Sequence, residues 1–133
     1  MARAVKREAV AAFLRQAEEF LASARDNFAA RRFNVAGFDA VQALVNANDA
    51  LTAHFLGTRA SMDHREAIRL HVDVVRILRD PSQREVLARG LERRSDFGYL
   101  GKSASRPQAE LVVKDATRFL EWVRRALGSP RRP

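Results

Sequence analysis

The sequence predicts an all-α fold: an antiparallel four-helix up-and-down bundle with one additional short helix. Three observations support this prediction. Apolar residues recur at three- and four-residue spacing in four long segments. Capping residues, glycine or proline stand between those segments. We find no convincing two-residue alternation of the kind that marks a half-buried strand. Short connections between amphipathic helices favour antiparallel neighbours.

The first two helices are predicted from one apolar face each. The first spans Val5–Ala30 and carries several phenylalanines on that face. The second begins after Asn34, a good N-cap residue, and ends at Gly57, a good C-terminal residue. Asn48 falls within its apolar face, and an unpaired buried amide costs about 1–3 kcal/mol. We therefore expect Asn48 either to bond a facing helix and fix packing, or to line a cleft with Asp49.

The third helix is predicted to begin at Asp63 and to end near Asp80. Asp63 stands three residues before a glutamate, the spacing of a capping box, so a structural role explains this carboxylate. His71, at the edge of the apolar face, is expected to be packed and hydrogen-bonded. A proline then interrupts the pattern. A second capping box that begins at Ser82 predicts a short fourth helix to about Arg94.

A loop with aromatic residues follows, and Ser105 begins another capping box. The fifth helix runs from there to about Leu127. Trp122 lies beside its apolar face, where it either closes the edge of the bundle or meets a partner. We expect residues 1–127 to form a single domain and residues 128–133 a flexible basic tail.

Composition limits the possible functions. The net charge of +8 favours polyanions such as nucleic acid, although a merely basic soluble surface would give the same value. Without cysteine, the chain has no disulfide and no thiolate metal site. The three histidines are too few and too scattered for a typical zinc site, so we expect no metal and no cofactor. No apolar run approaches the length of a membrane span, and we expect a cytoplasmic protein.

Polar residues cluster around the connection between the second and third helices. Arg59 and His64 are separated by four residues. A histidine can move a proton and an arginine can stabilise phosphate charge, so this pair suits a metal-independent ribonuclease. Candidates for binding phosphate or nucleic acid lie further along the chain: Arg89, Arg93, Arg94, Lys102 and Arg106. Candidate cleft or structural polar residues are Asn48, Asp49, Asp63, Asp96 and Tyr99.

The chain resembles the HEPN domain family of small helical bundles. The likeness covers about Phe13–Leu127 and rests on two stretches, NANDALTAHFLGTRASMDHREAIRL and RRSDFGYLGKSASRPQAELVVKDATRFLEWVRRAL. The resemblance implies an antiparallel bundle of four or five helices that is often dimeric. Many members of this family pair with a minimal nucleotidyltransferase in toxin–antitoxin systems. Others cleave RNA without a metal, through an Arg-x4-6-His motif presented across a dimer cleft.

In those ribonucleases the motif usually follows the third long helix. This chain reads RSDFGY there, over Arg94–Tyr99, and has no histidine in that stretch. The stretch resembles the Arg-Asn-x-Ala-Asp-Tyr version of members without the ribonuclease pair. Arg59 and His64 have suitable spacing but lie one helix connection too early, so the resemblance assigns them no catalytic role.

Three hypotheses follow from the sequence. The leading one is an accessory HEPN-like module that binds RNA, a nucleotide or a nucleotidyltransferase-type partner, in which Arg94 and Asp96 stabilise the loop or its dimer neighbour. The alternative is a ribonuclease that uses Arg59 and His64. The third is a purely structural homodimer with Trp122 at its interface.

Overall fold

The computed structural model describes residues 3–5, 8–60, 63–97 and 103–128. Helices make up most of these residues: α1 (Ala9–Ala29), α2 (Phe33–Leu56), α3 (His64–Leu78), α4 (Arg84–Glu92) and α5 (Arg106–Gly128). A 3-10 helix continues α4 over Arg93–Asp96. Two-residue strands pair in antiparallel fashion: β1 (Arg3–Ala4) and β2 (Thr58–Arg59). The predicted all-α class is confirmed. Tyr99, Lys102 and the tail after Gly128 lie outside the described residues.

α2 is the central helix of the fold. It packs against α1, α3, α4 and α5. Buried residues from Ala36 to Ala53 surround its axis, as expected for a helix enclosed on all sides. Many of these residues are alanines, which let neighbouring helices approach closely. Large apolar side chains from the surrounding elements complete the core: Leu21, Val74, Leu87, Phe97, Phe119 and Leu120.

Side-chain contacts give the direction of α1 relative to α5. Arg25 on α1 donates a hydrogen bond to Thr117 on α5. Further along α5, Arg124 forms an ion pair with Glu18, which comes earlier on α1. As one residue number rises the other falls, so the two helices run antiparallel.

The start of the chain differs from the prediction. α1 begins at Ala9 rather than at Val5. The preceding residues are extended: β1 pairs with β2, and the Val5 N–H donates to the Gly57 carbonyl at 3.1 Å. The sequence analysis missed this pairing because two-residue strands are too short to show an alternating pattern.

Three predicted helix ends are confirmed. Gly57 ends α2 in the left-handed conformation, with φ of 69°. The Asp63 side chain caps α3 by accepting a hydrogen bond from the Arg65 N–H at 2.8 Å. Before α5, the Ser105 and Gln108 side chains each accept from the other residue's backbone N–H, which is a complete capping box.

Two predicted helix starts are wrong. Asn34 does not cap α2, which begins one residue earlier; its side-chain oxygen instead accepts from the Ala104 N–H at 2.7 Å and holds the segment before α5. Ser82 does not cap α4, which begins after Gln83. The Ser82 N–H donates to the Asp80 side chain at 3.0 Å, and this turn leaves Ser82 ahead of the helix.

Trp122 is buried rather than available to a partner. Its side chain is 5% exposed, and its indole N–H donates to the Asp80 carboxylate at 2.8 Å. Trp122 therefore closes the bundle edge between α3 and α5, and its predicted place at a homodimer interface is wrong. Among the described residues, no helix is long and apolar enough to span a membrane.

Two glycines let the region after α3 approach α2 closely. Phe97, which follows the 3-10 helix, is fully buried against Gly37 of α2. A Cβ atom at Gly37 would overlap the Phe97 ring, and one at Gly90 of α4 would overlap the Leu44 side chain. The absence of both Cβ atoms thus fixes the position of α4 and the 3-10 helix on α2.

Replacing Gly37 by alanine is expected to destabilise the fold. The new methyl group overlaps a fully buried ring, and overpacking of this kind costs about 1–3 kcal/mol. Urea unfolding followed by circular dichroism measures the change. The matched control is Gly128→Ala, since nothing lies within 4 Å of that Cβ. Equal stability of the Gly37→Ala protein and the control would contradict the close approach.

Candidate functional site

One cavity of about 290 Å³ lies where α2, β2, α3 and α4 with its 3-10 helix meet. We call it the cleft. It brings together six residues that the sequence analysis singled out: Asn48, Asp49, Arg59, Asp63, His64 and Arg94. The other lining residues are two amides, Gln42 and Asn46, and five apolar residues: Val45, Ala60, Ala67, Leu87 and Leu91. Residues far apart in the sequence therefore share one site.

Asp49 and Arg59 form a loose ion pair in the cleft. Arg59 Nη1 lies 4.0 Å from Asp49 Oδ2, and the two side chains are 30% and 9% exposed. The Arg59 guanidinium also lies 5.6 Å from the centre of the Phe13 ring on α1. Burial raises the pKa of Asp49 to about 7, and the Arg59 charge opposes this shift only in part. Asp49 is thus a buried carboxyl whose charge is incompletely balanced.

His64 and Arg94 form a second contact, between α3 and the 3-10 helix. Arg94 Nη1 lies 3.5 Å from His64 Nε2. Partial burial, together with the Arg94 charge, lowers the pKa of His64, while Asp63 opposes the shift. His64 is therefore neutral at neutral pH, with a ring nitrogen that accepts from Arg94. The Arg94 Nε atom is buried and has no hydrogen-bond partner among the described residues.

A buried hydrogen-bond network supports the cleft floor. Asn48 Nδ2 donates to the Ala67 carbonyl of α3 at 3.3 Å. Its oxygen lies 3.1 Å from His71 Nδ1, so this ring nitrogen carries the proton and donates. The His71 ring packs against Phe119 and Trp122. Asn48 thus bonds a facing helix and also lines the cleft, so both structural roles considered for it hold. His71 is packed and hydrogen-bonded as predicted, although it is fully buried rather than at an edge.

The basic residues predicted to bind phosphate have different neighbours in the described structure. Arg89 makes two hydrogen bonds to Asp115 of α5, at 2.8 and 2.7 Å, and Arg93 lies 3.5 Å from the same carboxylate. These contacts hold α4 against α5. Arg106 lies over the Phe28 ring, near the turn between α1 and α2. Of the five predicted basic residues, only Arg94 lines the cleft among those that the structure describes.

Asp96 does not line the cleft among the described residues. It lies in the 3-10 helix with intermediate exposure. The sequence analysis did not single out Gln42 as a cleft residue. Its position one helical turn before Asn46 was an available signal, because residues four apart share a helix face. In the part of the chain that the structure describes, no three histidine, aspartate or glutamate side chains gather as a metal site.

Comparison with known proteins identifies one family. A family model described as HEPN domain matches residues 10–126, which is most of the chain. The matched region includes every residue that lines the cleft. No curated protein matches the chain.

We expect His71→Leu to change how stability depends on pH. Burial, with a smaller contribution from Arg84, lowers the pKa of His71 from 6.5 to about 4. Between these values the unfolded state binds a proton that the folded state excludes, so acidification removes about 3 kcal/mol of folding stability. The His71→Leu protein does not lose stability in this way on acidification. It should nevertheless be less stable than the wild type at pH 7, because the Asn48 oxygen no longer has the His71 donor.

Urea unfolding at pH 7, 5.5 and 4.5 measures this effect as the difference between the two proteins. The raised pKa of Asp49 also changes stability, because it makes the folded state more stable as pH falls from about 7. Both proteins contain Asp49, so its effect cancels in the difference between their free energies of unfolding. The difference in free energy of unfolding between the wild type and His71→Leu should become smaller at each lower pH. A gap that is independent of pH would show that His71 does not titrate in this way.

Proposed function

The chain belongs to the HEPN domain family, and on this basis we propose that its cleft binds the phosphate group of a nucleotide or of RNA. The proposed role is that of an accessory binding module. The observation that supports it is the convergence of Arg59 and Arg94, from two separate elements, on one cavity. Guanidinium groups match phosphate geometry through their paired N–H donors.

The charge of the cleft lining favours an anion. Arg59 and Arg94 each carry a full positive charge, and His64 is neutral. Asp63 is negative but already accepts the capping hydrogen bond of α3. Asp49 is partly protonated near neutral pH, because burial raises its pKa to about 7. The net charge of the cleft lining is therefore positive near neutral pH, and it becomes more positive as pH falls and Asp49 is protonated.

Size and access also fit a small phosphorylated ligand. The cleft volume of about 290 Å³ lies at the lower end of the range for small-molecule sites. An open groove of about 500 Å³ adjoins it and shares three residues with it: His64, Leu91 and Arg94. A ligand in the cleft can therefore extend along the groove past Arg94, as a nucleotide within RNA would.

The partner predictions remain proposals. A homodimer, a nucleotidyltransferase-type partner in a toxin–antitoxin pair, and a cytoplasmic location all fit the family. Among the described residues, the exposed large apolar side chains lie on three different helices: Val35, Ile77 and Leu111. Light scattering at micromolar concentration tests the predicted dimer directly.

Arg94→Ala is expected to weaken nucleotide binding about tenfold to a hundredfold, because hydrogen bonds to charged groups contribute about 1.5–3 kcal/mol. Isothermal titration calorimetry with guanosine and adenosine 5′-monophosphates measures the loss. The control is Arg124→Ala, which removes an exposed arginine paired with Glu18 on the far side of α5. Unchanged affinity in the Arg94→Ala protein would rule out phosphate binding at this arginine.

A ribonuclease is the second candidate, and one observation favours it. His64 is neutral and contacts Arg94, while Arg59 lines the same cleft. When Arg94 turns from His64 Nε2 to the phosphate, this nitrogen can take the proton of a ribose 2′-hydroxyl. The 2′-oxygen then attacks the phosphorus, the 5′-oxygen of the next nucleotide leaves and takes a proton from water, and the guanidinium stabilises the charge on the phosphate. The sequence analysis paired His64 with Arg59, whereas its spatial neighbour is Arg94.

This candidate predicts that purified protein cleaves single-stranded RNA without added metal, and that His64→Ala abolishes cleavage while RNA binding persists. Because the base form of His64 is required and its pKa is lowered, the rate should stay high to below pH 6.5 and then fall. Gel electrophoresis of a labelled RNA measures the rate. Full cleavage by His64→Ala would show that His64 is not the base, and no cleavage by the wild type would leave the accessory role as the function.

A further inference from the structure

We propose that Asp49 makes the cleft selective for guanine, by accepting two hydrogen bonds from the donor edge of that base. The inference rests on the proposed nucleotide binding at the cleft and names the ligand class of that site. It starts from a buried carboxyl group whose ion pair with Arg59 is loose, at 4.0 Å.

The surroundings of Asp49 leave its oxygens available. The side chain is 9% exposed and lines the cleft. Its one charged neighbour in the described structure is Arg59, at 4.0 Å. A close charge-assisted hydrogen bond is about 2.7–2.9 Å long, so this pair is not one. The carboxylate keeps some exposure and lines the cleft, so its oxygens can be reached from the cavity. A bound ligand with N–H donors can therefore bond to them.

The bases differ in what they can offer a carboxylate. Guanine presents two adjacent N–H donors, at N1 and at its exocyclic N2 amine, and the two carboxylate oxygens can accept both in parallel. Adenine and cytosine present one amino group beside an acceptor nitrogen. The amino group can donate to one carboxylate oxygen, but the lone pair of the ring nitrogen repels the other oxygen of an ionised carboxylate. Uracil has a single N–H between two carbonyls. A site with a buried polar group rejects a ligand that leaves the group unpaired. An ionised Asp49 therefore favours guanine over the other three.

The rest of the cleft fits a guanine nucleotide in this orientation. Arg59, beside Asp49, is a donor suited to the O6 carbonyl next to the N1 edge of the same ring. Leu87 and Leu91 give an apolar wall for the face of the base. The phosphate group then falls to Arg94, whose buried Nε lacks a partner among the described residues. One nucleotide unit would thus contact Asp49, Arg59 and Arg94, which all line the cleft.

The charge of Asp49 sets the pH range of the preference. Burial raises the pKa of Asp49 to about 7, opposed in part by Arg59. The other charged or titratable groups that line the cleft are Asp63 and His64 of α3 and Arg94 of the 3-10 helix. Partial burial and the Arg94 charge lower the pKa of His64, so its imidazole is neutral at pH 7 and above. Ionised Asp49 accepts both guanine donors, so the preference for guanine should strengthen as pH rises from 6 to 8.

The test is calorimetric titration of the full chain with four 5′-monophosphates: those of guanosine, inosine, adenosine and xanthosine. At pH 8 the wild type should bind the guanosine form about tenfold to a hundredfold more tightly than the adenosine form, the discrimination typical of a two-bond contact. The inosine form lacks the N2 amine and should be intermediate. The ratio between two nucleotides cancels the titration of the phosphate itself.

Asp49→Asn is the decisive variant. An amide offers one acceptor and one donor, which matches the N1–H and the C2 carbonyl of xanthine, so the preference should move to the xanthosine form and lose its pH dependence. The matched control is Asp73→Asn, which makes the same change at a carboxylate of α3 that pairs with Arg76 and does not line the cleft. The control should keep the guanosine preference.

The outcomes separate this inference from the proposed function. If the wild type binds none of the four nucleotides, both fail. If it binds all four equally, or if Asp49→Asn keeps the guanosine preference, the guanine inference fails and the phosphate site remains. A further arm compares free guanosine monophosphate with an RNA trinucleotide that ends in guanosine 3′-phosphate. Tighter binding of the trinucleotide identifies an RNA end as the source of the guanine, and weaker binding identifies the free nucleotide.

Discussion

The close approach of α4 and the 3-10 helix to α2 is the constraint on which the cleft depends. Gly37 and Gly90 lack the Cβ atoms that would separate these elements. Phe97 fills the space against Gly37 and thereby fixes the end of the 3-10 helix. Arg94 is held three residues earlier, within reach of His64 at the start of α3. Without this packing the helices could still form. The 3-10 helix would then move away from α2, and Arg94 would no longer lie beside His64 in the cleft.

Asp115 and Asp49 are both buried aspartates, but their carboxylates have different surroundings. Asp115 is nearly fully buried and receives two hydrogen bonds from Arg89, with Arg93 alongside, so its charge is matched and it holds two helices together. Asp49 is buried to a similar degree but has one arginine at 4.0 Å, and its pKa is raised. The unmatched carboxyl faces a cavity, whereas the matched one lies between helices.

The sequence predicts local features well and long-range pairings poorly. Helical periodicity gave the number of helices, and the caps at Gly57, Asp63 and Ser105 depend only on neighbours in the chain. The prediction for Asn34 failed because its side chain bonds a distant partner, Ala104. The sequence likewise did not indicate that Arg89 pairs with Asp115. For the same reason, the sequence pointed to six of the eight polar cleft residues but not to the contact of His64 with Arg94, which are 30 positions apart. Which charges meet is decided by packing, not by spacing.

The pairing of β1 with β2 links the beginning of the chain to the cleft. β2 carries Arg59, and its antiparallel partner is only two residues long. Such a short pairing is among the weakest elements of a fold and opens locally while the helices stay intact. The two arginines of the cleft therefore stand on different supports: Arg94 on the 3-10 helix that precedes the buried Phe97, and Arg59 on a two-residue strand. A substitution in β1 that weakens this pairing would thus act on the strand that carries Arg59, at one side of the cleft.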